Sequence, residues 1–131
     1  MSGKKSILIV SDGTEKVNKM ANDIAEALKG NNISLKDALS FRGTDLLPAD
    51  VLFFGCEEPS PSSFDYLELL LQHINLAGRP LGIFSPDSKD ALKYLSRISI
   101  ASEAVLYPEP FITDNAGNSK IWAAKVLDGQ K

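Results

Sequence analysis

The hydrophobic and polar positions of this chain form short apolar runs separated by longer amphipathic segments. The first run, residues 7–10, is mostly β-branched and has no polar interruption. Such a run is typical of a strand covered on both faces, as in a parallel sheet. Asp12-Gly13 breaks the run, and from Val17 onward apolar residues recur at helical spacing. The chain therefore begins with a predicted buried strand, a tight turn and a helix.

The same alternation continues to the end of the sequence. Further apolar runs, typical of interior strands, lie at residues 51–56, 80–84 and 104–106. Residues 33–37 alternate between apolar and polar positions, which favours a half-exposed edge strand. Helical spacing of apolar residues follows nearly every strand. Because strands and helices alternate, the sequence predicts an α/β fold with a parallel sheet and helices on both faces.

Capping and turn residues predict where the helices begin and end. Asp12 or Thr14 is the expected N-cap of the first helix. Gly78 is expected to close the second helix, and Ser85, which precedes a proline, to cap the third. Residues 115–118 are expected to form a turn before the last helix.

Composition restricts the class of protein. A chain of 131 residues is expected to form one domain, 1–131. Its net charge of -3, without a stripe of Lys and Arg, argues against a nucleic-acid partner. One Cys and one His exclude an internal disulfide and a zinc site of the usual kind. Since neither a signal peptide nor a membrane-length apolar run of about 20 residues is evident, the expected location is the cytoplasm and no membrane partner is expected.

The order and content of these segments resemble the flavodoxin family. The segments that carry the resemblance are residues 6–10 with 14–28, residues 49–55, residues 76–84, and residues 105–112 with Trp122. The resemblance implies a three-layer α/β/α sandwich, flavodoxin-like, with a five-stranded parallel sheet in the order 2-1-3-4-5. It also implies a ligand site at the switch point between the first and third strands.

Flavodoxins bind FMN at this point and carry electrons, so the resemblance implies an FMN-dependent electron-transfer module. It assigns the phosphate to the turn after the first strand, and the flavin ring to the loops after the third and fourth strands. The residues so assigned are Ser11, Asp12, Gly13, Thr14, Glu57, Ser60, Phe64 and Ser85. Phe64 or Tyr66 could stack on the flavin ring, but the helical spacing of Phe64 favours a place in the core over a flavin contact.

The phosphate turn departs from the family pattern. Only Ser11-Asp12-Gly13 separates Val10 from Thr14, which makes the turn shorter than a flavodoxin phosphate loop. Asp12 also puts a carboxylate where the phosphate would sit, and like charges ~4 Å apart cost roughly 4 kcal/mol near a protein surface. A second function is therefore open: a flavodoxin-like domain that has lost FMN and acts as a protein-interaction or regulatory module.

Four acidic residues, Asp12, Glu57, Glu58 and Asp87, follow strands that end at one edge of the predicted sheet. They could hold a hard cation, but a solvated acidic surface that steers a basic partner protein, redox or otherwise, is the favoured interpretation. A response-regulator receiver would also need a Lys after the fifth strand, where this chain has Tyr107. We therefore reject that class.

Neither a catalytic nor a metal-binding residue is assigned from the sequence. Cys56 ends an apolar run, which favours a small core residue over a redox-active thiol, and the adjacent Glu57 would raise the pKa of a reactive thiol. No nucleophile and base are paired in the pattern, so an enzyme acting on a separate small molecule is the least favoured class.

Overall fold

The computed structural model describes residues 5–40, 42–112 and 116–128. Strands and helices alternate along this part of the chain. In order they are β1 (Ser6–Ser11), α1 (Glu15–Ala27), β2 (Asn32–Asp37), α2 (Gly43–Leu46), β3 (Val51–Gly55), a 3₁₀ turn (Ser62–Phe64), α3 (Asp65–Leu71), β4 (Pro80–Phe84), α4 (Lys89–Ile100), β5 (Val105–Leu106) and α5 (Ala116–Leu127). Among the described residues, no helix is both long and apolar enough to cross a membrane.

The strands form one parallel sheet in the order β2-β1-β3-β4-β5, which confirms the predicted topology. β1 lies inside the sheet, where Ile9 is in register with Leu35 of β2 and with Phe53 of β3. At the carboxyl end of β1, Ser11 is in register with Asp37 on one side and with Gly55 on the other. The chain order reverses beside β1, so a crevice between the β1 and β3 ends is the expected ligand position of such a sheet.

Each face of the sheet is covered by its own apolar cluster, because alternate residues of a strand point to opposite faces. Leu8 and Val10 of β1 pack with residues of α2, α3 and α4 on one face. Ile7 and Ile9 pack with residues of α1 and α5 on the other face. The apolar runs of β1, β3 and β4 therefore reflect burial on both sides, and the three-layer arrangement is confirmed. The run at 104–106 is the exception, because β5 lies at the edge of the sheet and Val105 is exposed.

Trp122 of α5 connects the last helix to the sheet. Its ring stacks on Phe111 with centroids 5.4 Å apart and meets Phe53 edge-on at 5.6 Å. Its indole Nε1–H donates a hydrogen bond to the carbonyl of Glu109 at 2.6 Å. Gly82 lacks the Cβ that would lie 2.8 Å from this ring, so the small residue admits the indole.

The end predicted for the second helix is wrong. α3 ends at Leu71, well before Gly78, although Gly78 does adopt a positive φ of 83°. Between them, the side chain of Asn75 accepts a hydrogen bond from the N–H of Ala77 at 2.8 Å. Such local side-chain bonds favour a turn over a continued helix.

The cap predicted for the third helix is also displaced. Ser88, rather than Ser85, caps α4 and accepts a hydrogen bond from the N–H of Ala91 at 3.0 Å. The Ser85 hydroxyl accepts the N–H of Ser88 at 3.3 Å, so Ser85 shapes the turn that leads into the helix. The turn predicted over 115–118 is wrong for residues 116–118, which belong to α5, and residue 115 lies outside the described residues.

We predict that Gly55→Ala lowers the free energy of unfolding by about 1–3 kcal/mol, because its Cβ would overlap the Phe84 ring in a packed interior. Gly43→Ala is the matched control, since its Cβ would lie 3.5 Å from the nearest side-chain atom, an ordinary contact. Urea denaturation of both variants measures the difference. Equal stability of the two variants would show that the Phe84 ring does not need the space at Gly55.

Candidate functional site

The candidate site is the turn at the carboxyl end of β1, where α1 begins. Ser11 fixes this turn, because its hydroxyl accepts a hydrogen bond from the N–H of Gly13 at 3.0 Å and bonds the side chain of Asn18. The Asn18 amide in turn donates to the Gly13 carbonyl at 3.4 Å. Gly13 has a φ of 88°, a conformation that residues with a Cβ rarely adopt. The short sequence between β1 and α1 therefore folds into a closed local network.

Asp12 is at the centre of the turn and is only 9% exposed. Its Oδ1 accepts hydrogen bonds from the N–H and the hydroxyl of Thr14, at 2.9 and 2.7 Å. Its Oδ2 accepts a hydrogen bond from the N–H of Glu57, at 2.8 Å, in the loop after β3. One carboxylate thus joins the loops that follow the two neighbouring strands β1 and β3.

The position of this carboxylate is that of an anion at a helix N-terminus. Thr14 is the N-cap of α1 and makes no cap hydrogen bond with its own side chain. Negative charge next to a helix N-terminus is stabilised by the helix dipole, by typically 0.3–1 kcal/mol at exposed positions and up to about 2 kcal/mol where partly buried. Because Asp12 takes both donors of Thr14, and Ser11 takes the N–H of Gly13, the donors of the turn are engaged within the protein.

A second carboxylate lies beside the turn. Asp37, at the end of β2, has its Oδ2 only 2.7 Å from the point where a Cβ on Gly13 would be. Its Oδ1 accepts a hydrogen bond from the N–H of Leu39 at 2.8 Å. The turn is therefore flanked by two acidic side chains, Asp12 and Asp37, which makes its surroundings unfavourable for a phosphate.

The structure brings some of the predicted site residues together and separates others. Ser11, Asp12, Gly13 and Thr14 form the turn, and Glu57 joins it through its backbone N–H. The remaining three residues of the predicted FMN site lie elsewhere: Ser60 is exposed in the loop after β3, Ser85 is buried in the turn before α4, and Phe64 is buried in the core.

Phe64 has no face available to a ligand. Its side chain is 0% exposed and packs in the cluster under α3 and α4, with its ring 6.3 Å from that of Tyr94. This is the environment that its helical spacing favours. A flavin contact at Phe64 would require the ring to leave the core.

Cys56 lies directly after β3, and its side chain is buried. Burial, and secondarily the charge of Asp12, raise the pKa of its thiol to about 12. The thiol is therefore protonated at neutral pH, whereas a reactive cysteine needs a lowered pKa. Its surroundings are those of a core residue.

Three residues that take part in the site were not singled out from the sequence. Asn18 faces back to the turn from the first turn of α1, Asp37 ends β2, and the hydroxyl of Ser63 lies 3.5 Å from the Asp12 carbonyl. Asp37 carries a recognisable signal, because the carboxyl ends of parallel strands lie at one edge of the sheet. Within the described residues, no group of His, Cys, Asp and Glu side chains is arranged to hold a metal ion.

A parallel sheet in the order 2-1-3-4-5 with helices on both faces defines the flavodoxin-like fold, and solved structures agree with this class. A flavodoxin from Streptococcus pneumonia TIGR4 superposes with a TM-score of 0.80 at 14% identity, over 95% of this chain and 98% of that one. Flavodoxin 2 from Bacillus cereus gives 0.81 at 17% identity, over 95% and 99% of the two chains. A short-chain flavodoxin associated with a non-canonical PDU bacterial microcompartment gives 0.84 at 12% identity, over 98% and 100%.

These similarities confirm the resemblance at the level of the fold. No family model matches the chain, and no curated protein matches it by sequence. The protein is thus a flavodoxin-like α/β sandwich, similar over its length to flavodoxins from several sources.

We predict that the free energy of unfolding falls as the pH rises above about 9, because Cys56 has a higher pKa when folded than when unfolded. The folded state then binds more protons than the unfolded one, which lowers stability by at most ~1.4 kcal/mol per pH unit for one group. Urea denaturation between pH 8 and pH 11 measures this slope.

Cys56→Ala is the control for that titration. It removes the thiol and keeps the other alkaline groups, including Tyr94, whose pKa is also raised by burial and by Glu68. The variant is expected to lose stability less steeply with pH. Parallel slopes for the two proteins would contradict the assignment of the effect to the buried thiol.

Proposed function

We propose that this protein is a flavodoxin-like domain that does not hold FMN by its phosphate and acts as a protein-interaction or regulatory module. The observation that carries this proposal is the Asp12 carboxylate, which accepts two hydrogen bonds from Thr14 at the N-terminus of α1 and a third from the N–H of Glu57. An internal anion thus takes the place in which a flavodoxin-like site would receive the phosphate. The residues present do not fit FMN phosphate.

The sizes of the electrostatic and hydrogen-bond energies support the proposal that the turn does not hold the FMN phosphate. If Asp12 stayed in place, a phosphate ~4 Å away would meet a repulsion of roughly 4 kcal/mol per pair of unit charges near the surface. If Asp12 were displaced, it would lose three charge-assisted hydrogen bonds, each typically contributing about 1.5–3 kcal/mol. The freed donors could then bond the phosphate, but the helix dipole would add at most about 2 kcal/mol, and the displaced Asp12 carboxylate would have lost its partners. Either route leaves the phosphate poorly bound.

The loops that would hold the flavin ring supply little to offset this loss. In the loop after β3, Phe64 is in the core, and the segment 85–88 after β4 has no aromatic residue. A flavin ring gains much of its affinity from flat aromatic partners. The other aromatic candidate, Tyr66, is 45% exposed, but it belongs to α3 and lines a surface pocket with Arg42 and Gly43.

The surface next to the turn suits a protein partner of opposite charge. Glu58 and Asp87 are exposed in the loops after β3 and β4, and Glu57 is half-buried beside Asp12. We name Asp12, Glu57, Glu58 and Asp87 the acidic edge. Clustered charge of one sign steers an oppositely charged partner, so a partner with a basic surface is the favoured one.

An FMN-dependent electron carrier is the second candidate function. Its support is the superposition on whole flavodoxin chains, including a short-chain flavodoxin covered over 100% of its length. The Asp12 network opposes it.

The two candidates differ in flavin binding. We predict that the wild-type protein leaves FMN fluorescence unquenched at tens of micromolar protein, and that Asp12→Thr binds FMN at least ~10-fold more tightly than wild type because the repulsion is removed. Asp12→Asn is the matched variant, since it removes the charge and keeps the size of the side chain. Fluorescence titration measures all three proteins.

Riboflavin, which lacks the phosphate, is the ligand control, and its affinity should be insensitive to these substitutions. Tight FMN binding by the wild-type protein would overturn the proposal in favour of the electron carrier. An Asp12→Thr variant with unchanged FMN affinity would show that electrostatic repulsion is not the obstacle.

The protein-interaction part has its own test. We predict that the immobilised wild-type domain retains a basic partner from a low-salt extract, and that Glu57→Lys/Glu58→Lys loses it because the charge of the acidic edge is reversed. Quantitative mass spectrometry of the two eluates measures the difference. Recovery of no partner by the wild-type domain would count against the module.

A further inference from the structure

A groove lies between α4 and the edge strand β5, on the opposite side of β4 from β3. Its volume is about 440 Å³, and its walls are mainly apolar, with Leu92, Ile100 and Leu106 among them. None of its lining residues belongs to the Asp12 turn. The groove is therefore a surface separate from the candidate site.

The charge of the groove is opposite to that of the whole protein. Lys93 and Arg97 are spaced by one turn of α4, so they lie on the same face of the helix and both line the groove. Among the described residues, no Asp or Glu side chain lines the groove, although the exposed Glu109 stands between the lining residues Pro108 and Pro110; the chain as a whole carries a net charge of -3. The groove thus combines an apolar floor with cationic side chains.

Arg97 is held in position without being neutralised. Its guanidinium lies 5.5 Å from the centroid of the Tyr94 ring, and its Nη1 is 4.0 Å from a carboxylate oxygen of Glu68. The Arg97 side chain is 63% exposed, and such exposed pairs contribute little. Arg97 therefore remains available to an anionic group of a ligand.

Apolar side chains beside the groove are exposed to solvent. Ile100, at the end of α4, is 72% exposed, and Val105 of β5 is 46% exposed. Both are among the larger exposed apolar residues of the described chain. Their burial would favour a partner that brings apolar side chains to the same surface.

The backbone of β5 favours an extended chain as that partner. The N–H groups of Val105 and Tyr107 donate to Arg79 and Leu81, so these residues face β4. Because successive residues of a strand alternate, the N–H and the carbonyl of Leu106 face away from β4, on the side where the described residues contain no further strand. Pro108 limits the length of β5, so the strand can form few main-chain hydrogen bonds with a partner. Side-chain contacts must therefore supply most of the affinity for that partner.

From these features we propose that the groove between α4 and β5 binds an extended segment of a partner protein that is both acidic and apolar. Acidic side chains would pair with Lys93 and Arg97, apolar side chains would cover Ile100 and Leu106, and the main chain would bond the edge at Leu106. The proposal is independent of the proposed function, which concerns a different surface and a partner of the opposite charge.

The test is selection from a random displayed-peptide library on the immobilised full-length protein. The expected winners combine Asp or Glu with large apolar residues. The best synthetic peptide, labelled with a fluorophore, is then titrated by anisotropy. Lys93→Glu/Arg97→Glu is expected to weaken peptide binding at least ~10-fold, because it reverses the charge that pairs with the acidic side chains. Ile100→Ser is expected to weaken binding as well, because it removes apolar contact surface. All three residues are exposed to solvent, so we expect the variants to fold.

The matched control is Lys19→Glu/Lys29→Glu, which makes the same change in net charge on α1 and just after its C-terminal end, and it should bind the peptide like the wild type. Circular dichroism checks that every variant is folded. Selection of no acidic peptides, or equal binding by the groove variant and the control, would overturn the proposal. Concentration-dependent self-association that Lys93→Glu/Arg97→Glu abolishes would also overturn it, because the occupant would then be a second copy. None of these results depends on the FMN titration.

Discussion

The hydrogen bonds of the Asp12 carboxylate connect the two loops at the switch point of this sheet. One oxygen binds the N–H and the hydroxyl of Thr14, and the other binds the N–H of Glu57. An anionic ligand at this crevice would compete with Asp12 for the donors of Thr14 and would lie beside its carboxylate. The hydrogen bonds that hold the turn together therefore also oppose the binding of a phosphate. For this reason, similarity of fold alone does not assign the flavodoxin function to this chain.

The distribution of charge gives the protein two different surfaces. Acidic side chains collect at the carboxyl ends of β1, β3 and β4, where three strands bring distant residues such as Asp12 and Asp87 to one edge. The groove at β5 is cationic, because Lys93 and Arg97 recur at helical spacing on α4. A domain with opposite charges on separate surfaces is suited to contacts with more than one partner, which is consistent with an interaction module.

Much of the fold could be predicted because interior strands and amphipathic helices have distinct patterns. The apolar runs of β1 and β3 demand burial on both faces, and their alternation with helices leaves few topologies. The ends of the helices were harder to predict from the sequence. Gly78 is a residue type that often ends a helix, and Ser85 is one that often caps the start of a helix. In the structure, however, Asn75 forms a turn after α3, and Ser88 caps α4. Nothing in the composition ranks one such local bond above another, since only the path of the chain determines which donors are near.

The sequence by itself determined the layered α/β architecture, the strand order implied by the family resemblance, and the presence of a short acidic turn after β1. Only the tertiary structure decided which groups the Asp12 carboxylate binds. The N–H of Glu57 is far from Asp12 along the chain, and it reaches the carboxylate because β1 and β3 are neighbours. The same holds for Asp37, which flanks the turn through the pairing of β1 with β2. Burial follows from the pattern of apolar residues within each short segment of the sequence. Hydrogen bonds between loops depend instead on which strands are neighbours in the sheet.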